Sequence, residues 1–218
     1  MSKRCSRGAC AAFLALLTAA CTKHEPVATG AATPPSQQSA ASSPAPGSHI
    51  VSGRIPPATA GVTAILFLES KSPHTFPLPE GKAIMDQAGM QFSPSVLFVR
   101  AGQPVVFRNS DSEMHNVNMK EGSSRGQAFN VAIPTGGTYE HVFERDGLYD
   151  VTCDVHSAMS ATILVTSTPY ATIADAEGSF TFGDVAPGSY RMTVYSGTLQ
   201  FQRPVEVAQA LTTVNVAP

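Results

Sequence analysis

Four side chains in this sequence have the chemistry to share one soft metal ion. Cys153, His156 and Met159 fall within the seven residues Cys-Asp-Val-His-Ser-Ala-Met. His115 lies 38 residues before Cys153, in Asn-Ser-Asp-Ser-Glu-Met-His-Asn-Val. Taken alone, Cys-x2-His is a weak signal, because buried cysteine and methionine commonly fill cores. Two imidazoles, a thiolate and a thioether together match the donor set of a trigonal His2Cys copper site with a weak axial methionine. Zinc would accept the cysteine and histidines but gains little from a thioether. Covalently attached haem is excluded, since the chain holds no Cys-x-x-Cys-His.

These side chains need a scaffold that returns one loop beside another. Short runs rich in Val, Thr and Phe alternate with Gly, Pro, Asn and Asp turns, such as Ala101-Gly102-Gln103-Pro104 and Arg145-Asp146-Gly147. Regular short strands of this kind predict a sandwich or barrel. No amphipathic helix stands out, so the mature chain is expected to be all-β. In a β-sandwich the strand-end loop at His115 can lie beside the loop that follows Cys153.

The cysteine count sharpens the case. The chain of 218 residues has four cysteines, and its N-terminus has the layout of an export signal. Lys3, Arg4 and Arg7 precede an almost wholly apolar run from Ala9 to Ala20, and Thr18-Ala19-Ala20 lead into Cys21. A core of about a dozen apolar residues suits a signal and is too short to span a bilayer. The stretch resembles a bacterial lipoprotein signal, with Thr18 where that pattern most often has Leu. The resemblance implies lipidation of Cys21, with ordinary cleavage nearby as the alternative. Thr22 after the cysteine, rather than Asp, would fit sorting to the outer membrane. Cys5 and Cys10 would leave with the signal, and Cys153 would stand alone in an oxidising compartment.

Residues 22–48 are mostly Ala, Thr, Pro, Ser and Gln and are expected to form a disordered tether averaging on the order of 30 Å. His24 and His49 lie in or beside it and read as solvated. His74 reads as linker and His141 as strand packing. Met85, Met90 and Met119 read as core filling rather than a soft-metal patch with Met114. Glu113, Asp111 and Asp154 read as solvated loop acids. Charged residues are only 14% of the chain and the formal net charge is −2, with no basic stripe to hold nucleic acid.

Residues 82–167 resemble a cupredoxin, nearest to the amicyanin, plastocyanin and pseudoazurin group. Asn-Ser-Asp-Ser-Glu-Met-His-Asn-Val is similar to that group's first histidine segment, with Asn109 six residues before His115 and Asn116 just after it. Gly147 to Met159 is similar to its last strand and ligand loop, with the short Cys-x2-His-x2-Met spacing of amicyanin-type loops. The resemblance implies a Greek-key β-sandwich over 75–167 binding one copper ion. His115, Cys153 and His156 would be equatorial ligands and Met159 the axial one. It also implies that Asn109 ties the two ligand loops together, with Asn116 beside it in the outer shell. The group often has proline before each histidine and after the second. Here Met114, Val155 and Ser157-Ala158 stand in those places, which leaves loop stiffness and reduction potential open.

Residues 169–216 resemble a carboxypeptidase-regulatory-like β-sandwich, through Thr172, Asp175, Gly178, Phe180, Val185, Pro187-Gly188, Tyr190 and Val194. The strand pair that usually opens such a module is expected at 49–70. The expected second domain is therefore 49–70 with 168–217, and the cupredoxin would be inserted into one of its loops.

A filled copper site leaves no open position for a substrate. The extra His-x-His pairs of multicopper oxidases and nitrite reductases are absent, so an enzyme is not expected. The functional expectation is a one-electron carrier of the periplasm or cell envelope, lipid-anchored to the outer membrane through Cys21. A redox protein would dock near His156, on an apolar patch including Met114, Val155 and Ala158, with no nucleic acid and no small-molecule substrate. The alternatives are periplasmic copper delivery with the same ligands and a structural envelope module.

Overall fold

The structure is a computed structural model that describes residues 49–122, 124 and 126–216. The expected signal peptide, Cys21 and the tether over 22–48 lie outside the described residues. Within them the chain is all-β. The first eight strands are β1 His49–Arg54, β2 Ala64–Ser70, β3 Ala83–Gln87, β4 Phe92–Ser93, β5 Val96–Arg100, β6 Pro104–Asn109, β7 His115–Glu121 and β8 Gln127–Ile133. The others are β9 Thr138–Val142, β10 Gly147–Thr152, β11 Ser160–Thr166, β12 Ala171–Ile173, β13 Ser179–Val185, β14 Gly188–Ser196, β15 Leu199–Val207 and β16 Leu211–Asn215.

Strands β3 to β11 form one sandwich. Its five-stranded sheet has the order β5-β11-β10-β7-β8 and its four-stranded sheet β4-β3-β6-β9. Between them lie Met85, Phe107, Val117, Met119, Val151 and Ile163, all fully buried. The inward positions follow the two-residue period of a pleated strand. Val105 and Phe107 point inward on β6, and Asn109 continues that parity at the strand's end. On β10 the inward residues are Tyr149 and Val151, with Cys153 next in step. Fully burying each large apolar side chain contributes about 1.5–3 kcal/mol, so a shift of one residue in register would expel the whole set.

The remaining strands form a second sandwich, with sheet orders β13-β1-β16 and β12-β2-β14-β15. Strand β1 pairs antiparallel with β13 and parallel with β16, and β2 lies between β12 and β14. The chain therefore leaves this sandwich after β2 and re-enters it at β12. Gly53 permits the close approach of β1 and β16, since a Cβ there would lie 1.7 Å from the Val214 carbonyl oxygen. Tyr190 donates its hydroxyl to the Ala186 carbonyl at 2.8 Å. Burial, then the neighbouring Tyr170, pushes its phenol up to about 12.

The two sandwiches meet through apolar outer faces. Ile65 and Phe67 of β2 pack with Leu164 of β11, joined by Phe98, Leu148 and Tyr195. Phe67 and Tyr195 stack with ring centroids 6.0 Å apart. This contact covers part of the outer face of the five-stranded sheet, along β5, β11 and the start of β10. No helix among the described residues is long and apolar enough to cross a membrane.

Candidate metal centre

His115, the first residue of β7, shares the inward parity of Val117 and Met119, and its side chain is fully buried. Strand β10 pairs with β7 so that Val151 faces Met119 and Thr152 faces Asn118. Continuing that antiparallel register puts Cys153 opposite Val117 and diagonal to His115, within reach across the sheet. The loop after β10 then turns back on itself. The Met159 amide donates to the His156 carbonyl at 2.9 Å, and the Cys153 amide to the Met159 carbonyl at 3.2 Å. This turn brings His156 over His115, with ring centroids 4.7 Å apart.

Three donor atoms converge. His115 Nδ1 and His156 Nδ1 are 2.9 Å apart. Cys153 Sγ lies 4.0 Å from the first and 3.9 Å from the second. The point equidistant from all three lies about 2.1 Å from each, within the range of metal–nitrogen and metal–sulfur bonds (roughly 2.0–2.3 Å). The donor chemistry and the triangle both fit one copper ion. His115, Cys153 and His156 form the one such cluster among the described residues. Met159 is buried with Cys153 in the same core.

The surroundings orient the donors. His115 Nε2 is 2.9 Å from Asp111 Oδ2. A carboxylate only accepts, so the ring proton resides on Nε2 and the Nδ1 lone pair faces the site. Asp111 also accepts the amides of Gly89 at 2.6 Å and Met90 at 3.0 Å. The Met90 amide above all, then the Gly89 amide and the His115 ring, holds its carboxyl below the usual carboxylate range. Asp111 thus ties the β3–β4 turn to a ligand.

Several expectations change here. Asn109 is buried but does not join the two ligand loops. It donates to the carbonyls of Glu113 at 2.7 Å and Ile133 at 2.9 Å and accepts the Asp111 amide at 2.9 Å. It thereby shapes the loop before His115 against the end of β8. Asn116 makes the link instead. Its Oδ1 accepts the Asp154 amide at 2.7 Å and lies 3.2 Å from Cys153 Sγ. Asp111 and Asp154 are not idle solvated acids, since Asp154 accepts from Asn116, Asn118 and Asn130. The spacing Asp-x3-His and the alternation of Asn116 and Asn118 were the signals available for these roles.

Met85 and Met119 fill the core, but Met90 is 43% exposed, like Met114 at 56%. His141 packs against Phe129 and Phe143, with centroids 4.7 and 4.6 Å away. His74 lies against Phe76. His49 is half-buried in β1, with a buried Nδ1 that has no partner, so it is not a solvated tether residue.

Comparison with known proteins gives two family matches. Residues 79–166 match the model of copper binding proteins of the plastocyanin/azurin family. Residues 125–215 match a model described as polysaccharide lyase family 4, domain II, a span that takes in strands β8 to β16. No curated protein matches the chain. Among solved structures, a purple cupredoxin from Nitrosopumilus maritimus is 28% identical, covering 38% of this chain and 99% of its own, with a TM-score of 0.35. A reduced amicyanin mutant is 23% identical over 45% of this chain and 98% of its own, with a TM-score of 0.36. A copper-containing nitrite reductase from Thermus scotoductus is 21% identical over 44% of this chain and 25% of its own, with a TM-score of 0.36.

Proposed function

We propose, taking residues 79–166 as a copper-binding domain of the plastocyanin/azurin family, that this chain is a one-electron carrier of the cell envelope. The observation that carries the reading is the closed triangle of His115 Nδ1, His156 Nδ1 and Cys153 Sγ. Met159 would complete it as a weak axial ligand. A copper ion held there supplies a one-electron couple between Cu(I) and Cu(II). The protein's part is to hold the donors still. Asp111 fixes the His115 tautomer, the turn from Cys153 to Met159 fixes His156, and the core excludes water from the sulfur. With four side chains committed as ligands, no position remains for a substrate, which supports a carrier rather than an enzyme.

The domain arrangement belongs to the same reading: a copper sandwich inserted into a second sandwich made of 49–70 and 168–217. Export, and a lipid anchor at Cys21, rest on the N-terminal sequence.

Electrons would enter and leave beside His156, which is half-buried, with exposed Val155 preceding it and exposed Met114 preceding His115 in the chain, the former 55% exposed. Apolar side chains there would let a redox partner approach without stripping water from charges. Val155→Glu is expected to keep copper and slow electron self-exchange between copies by roughly tenfold, because apposed like charges weaken the encounter. An unchanged self-exchange rate at full copper occupancy would remove the docking role.

Copper delivery is a second reading, favoured by the exposed thioethers of Met90 and Met114, since soft sulfur suits Cu(I). Met90 is tied by its amide to the carboxylate that holds His115. Delivery would predict Cu(I) that leaves readily for an acceptor, whereas a carrier keeps its copper through repeated cycles.

A further inference from the structure

The five-stranded sheet ends at β8, whose outer edge pairs with no other strand among the described residues. Such an edge presents free N–H and C=O groups to any strand that approaches, and native sheets normally blunt it. The other edges here are blunted. Strand β9 carries Glu140, ion-paired with Lys82, and β15 carries Arg203 and Pro204. Strand β13 carries Asp184, at φ 54°, and β5 ends in Arg100. Strands β4, β12 and β16 have only two, three and five residues. Strand β8, Gln-Ala-Phe-Asn-Val-Ala-Ile, has seven residues with neither a charge nor a proline.

This edge also leaves apolar surface uncovered. Phe129 and Val131 point inward but are only half-buried, because β8 and β9 do not pair and the sandwich stays open along that side. Phe129 meets Tyr139 and His141 there, with ring centroids 5.2 and 4.7 Å away.

A second copy of this chain fits the edge. Two β8 strands run antiparallel about Asn130 overlap over all seven residues. Phe129 then lies opposite Val131 twice on the inner face, and Ala128 opposite Ala132 twice on the outer. Aromatic and β-branched residues opposed in this way stabilise a sheet, and no like charges meet. The register keeps inward residues beside inward residues, so neither core is disturbed. Asn130, at the centre, is already bonded to Asn116 and Asp154 of its own copy, so pairing takes nothing from the copper loop.

We propose that β8 pairs with β8 of a second copy, joining the two five-stranded sheets into one continuous sheet with two-fold symmetry. The strand is about 24 Å long and one strand deep, which covers less than the roughly 800 Å² a side of a standard interface. The dimer is therefore reversible, held chiefly by main-chain hydrogen bonds. Ile133 pairs with His115 in each copy, so the two copper ends point in opposite directions and both ligand loops stay free.

The test is sedimentation velocity on the chain from Thr22 onward, over the micromolar to millimolar range. The wild type should pass from one chain to two as concentration rises. Ala128→Lys combined with Ala132→Lys replaces two exposed alanines and sets lysine against lysine at both ends of the pairing. This variant should remain a monomer at every concentration while keeping its β-sheet circular dichroism. Ala128→Glu with Ala132→Glu should do the same. An equal mixture of the two variants should dimerise again, because position 128 of each copy faces position 132 of the other. Should a double variant fail to fold, Ala128→Lys alone carries the test by moving the transition to higher concentration. A wild type that stays monomeric, a lysine variant that dimerises like wild type, or a mixture that does not associate would overturn the inference. None of these readings involves the metal, so the copper-carrier account stands or falls separately.

Discussion

Cys153→Ser is expected to leave a folded protein that has lost its thiolate-to-Cu(II) absorption entirely. Cys153 is 3% exposed and belongs to the core of the copper sandwich. Serine is close to isosteric there, and its hydroxyl can donate to Asn116 Oδ1 as the thiol does. Thermal stability should therefore change little. The copper site should not survive, because the soft thiolate separates this donor set from a pair of histidines. Loss of a primary ligand should cost more affinity than the roughly 10–100-fold commanded by a ligand's outer partner. A Cu(II) titration followed by visible absorption and by equilibrium dialysis reads both effects. A persisting intense band in the serine variant would mean that the sulfur is not a ligand.

Asp111→Ala is expected to weaken copper binding by about 10–100-fold while the visible band keeps its position. The carboxylate 2.9 Å from His115 Nε2 keeps the proton on that nitrogen and leaves Nδ1 free for the metal. Without it, the ring can take the other tautomer and turn its N–H into the site. Asp111 also anchors the turn at Gly89 and Met90, so Asp111→Asn is the needed control. Asparagine can still accept from one amide and should recover part of the affinity. The carboxyl is held below its ordinary range, and such a group gives stability above the unfolded value and loses it as pH falls through the folded one. Its contribution is thus complete at neutral pH and fades only below the ordinary carboxylate range. Equal copper affinity in Asp111→Ala and wild type would show that the loop alone orients His115.

Much of this was legible in the sequence because it is local and periodic. The inward parity of Val105, Phe107, Val117, Met119, Tyr149 and Val151 follows from a period of two, and it carries His115 and Cys153 to one end of the sandwich. The cluster of His115, Cys153 and His156 was legible from donor chemistry, since a thiol and two imidazoles can share one metal ion. What was not legible depends on tertiary register. Asp154 looks like an ordinary loop acid until strand pairing brings three asparagine amides to it, and Asp111 until the loop before β7 turns its carboxylate onto the His115 ring and the Gly89 and Met90 amides. Asn109 was given the link between ligand loops, which belongs to Asn116, because Asn109 ends β6 in the four-stranded sheet whereas Asn116 lies on β7, the neighbour of the strand that leads into Cys153. Met90 is exposed where core filling was expected, since it sits at φ 60° in the β3–β4 turn, whose Gly89 and Met90 amides donate to Asp111.

The central claim is that this site cycles one electron while keeping its copper, and repeated electrochemical reduction and reoxidation of the copper-loaded protein tests it most directly. The visible thiolate–Cu(II) band should bleach on reduction and return on oxidation, with one electron per copper and no loss of metal to a Cu(I) chelator between cycles. Copper that leaves on reduction, or a band that never forms, would contradict an electron carrier.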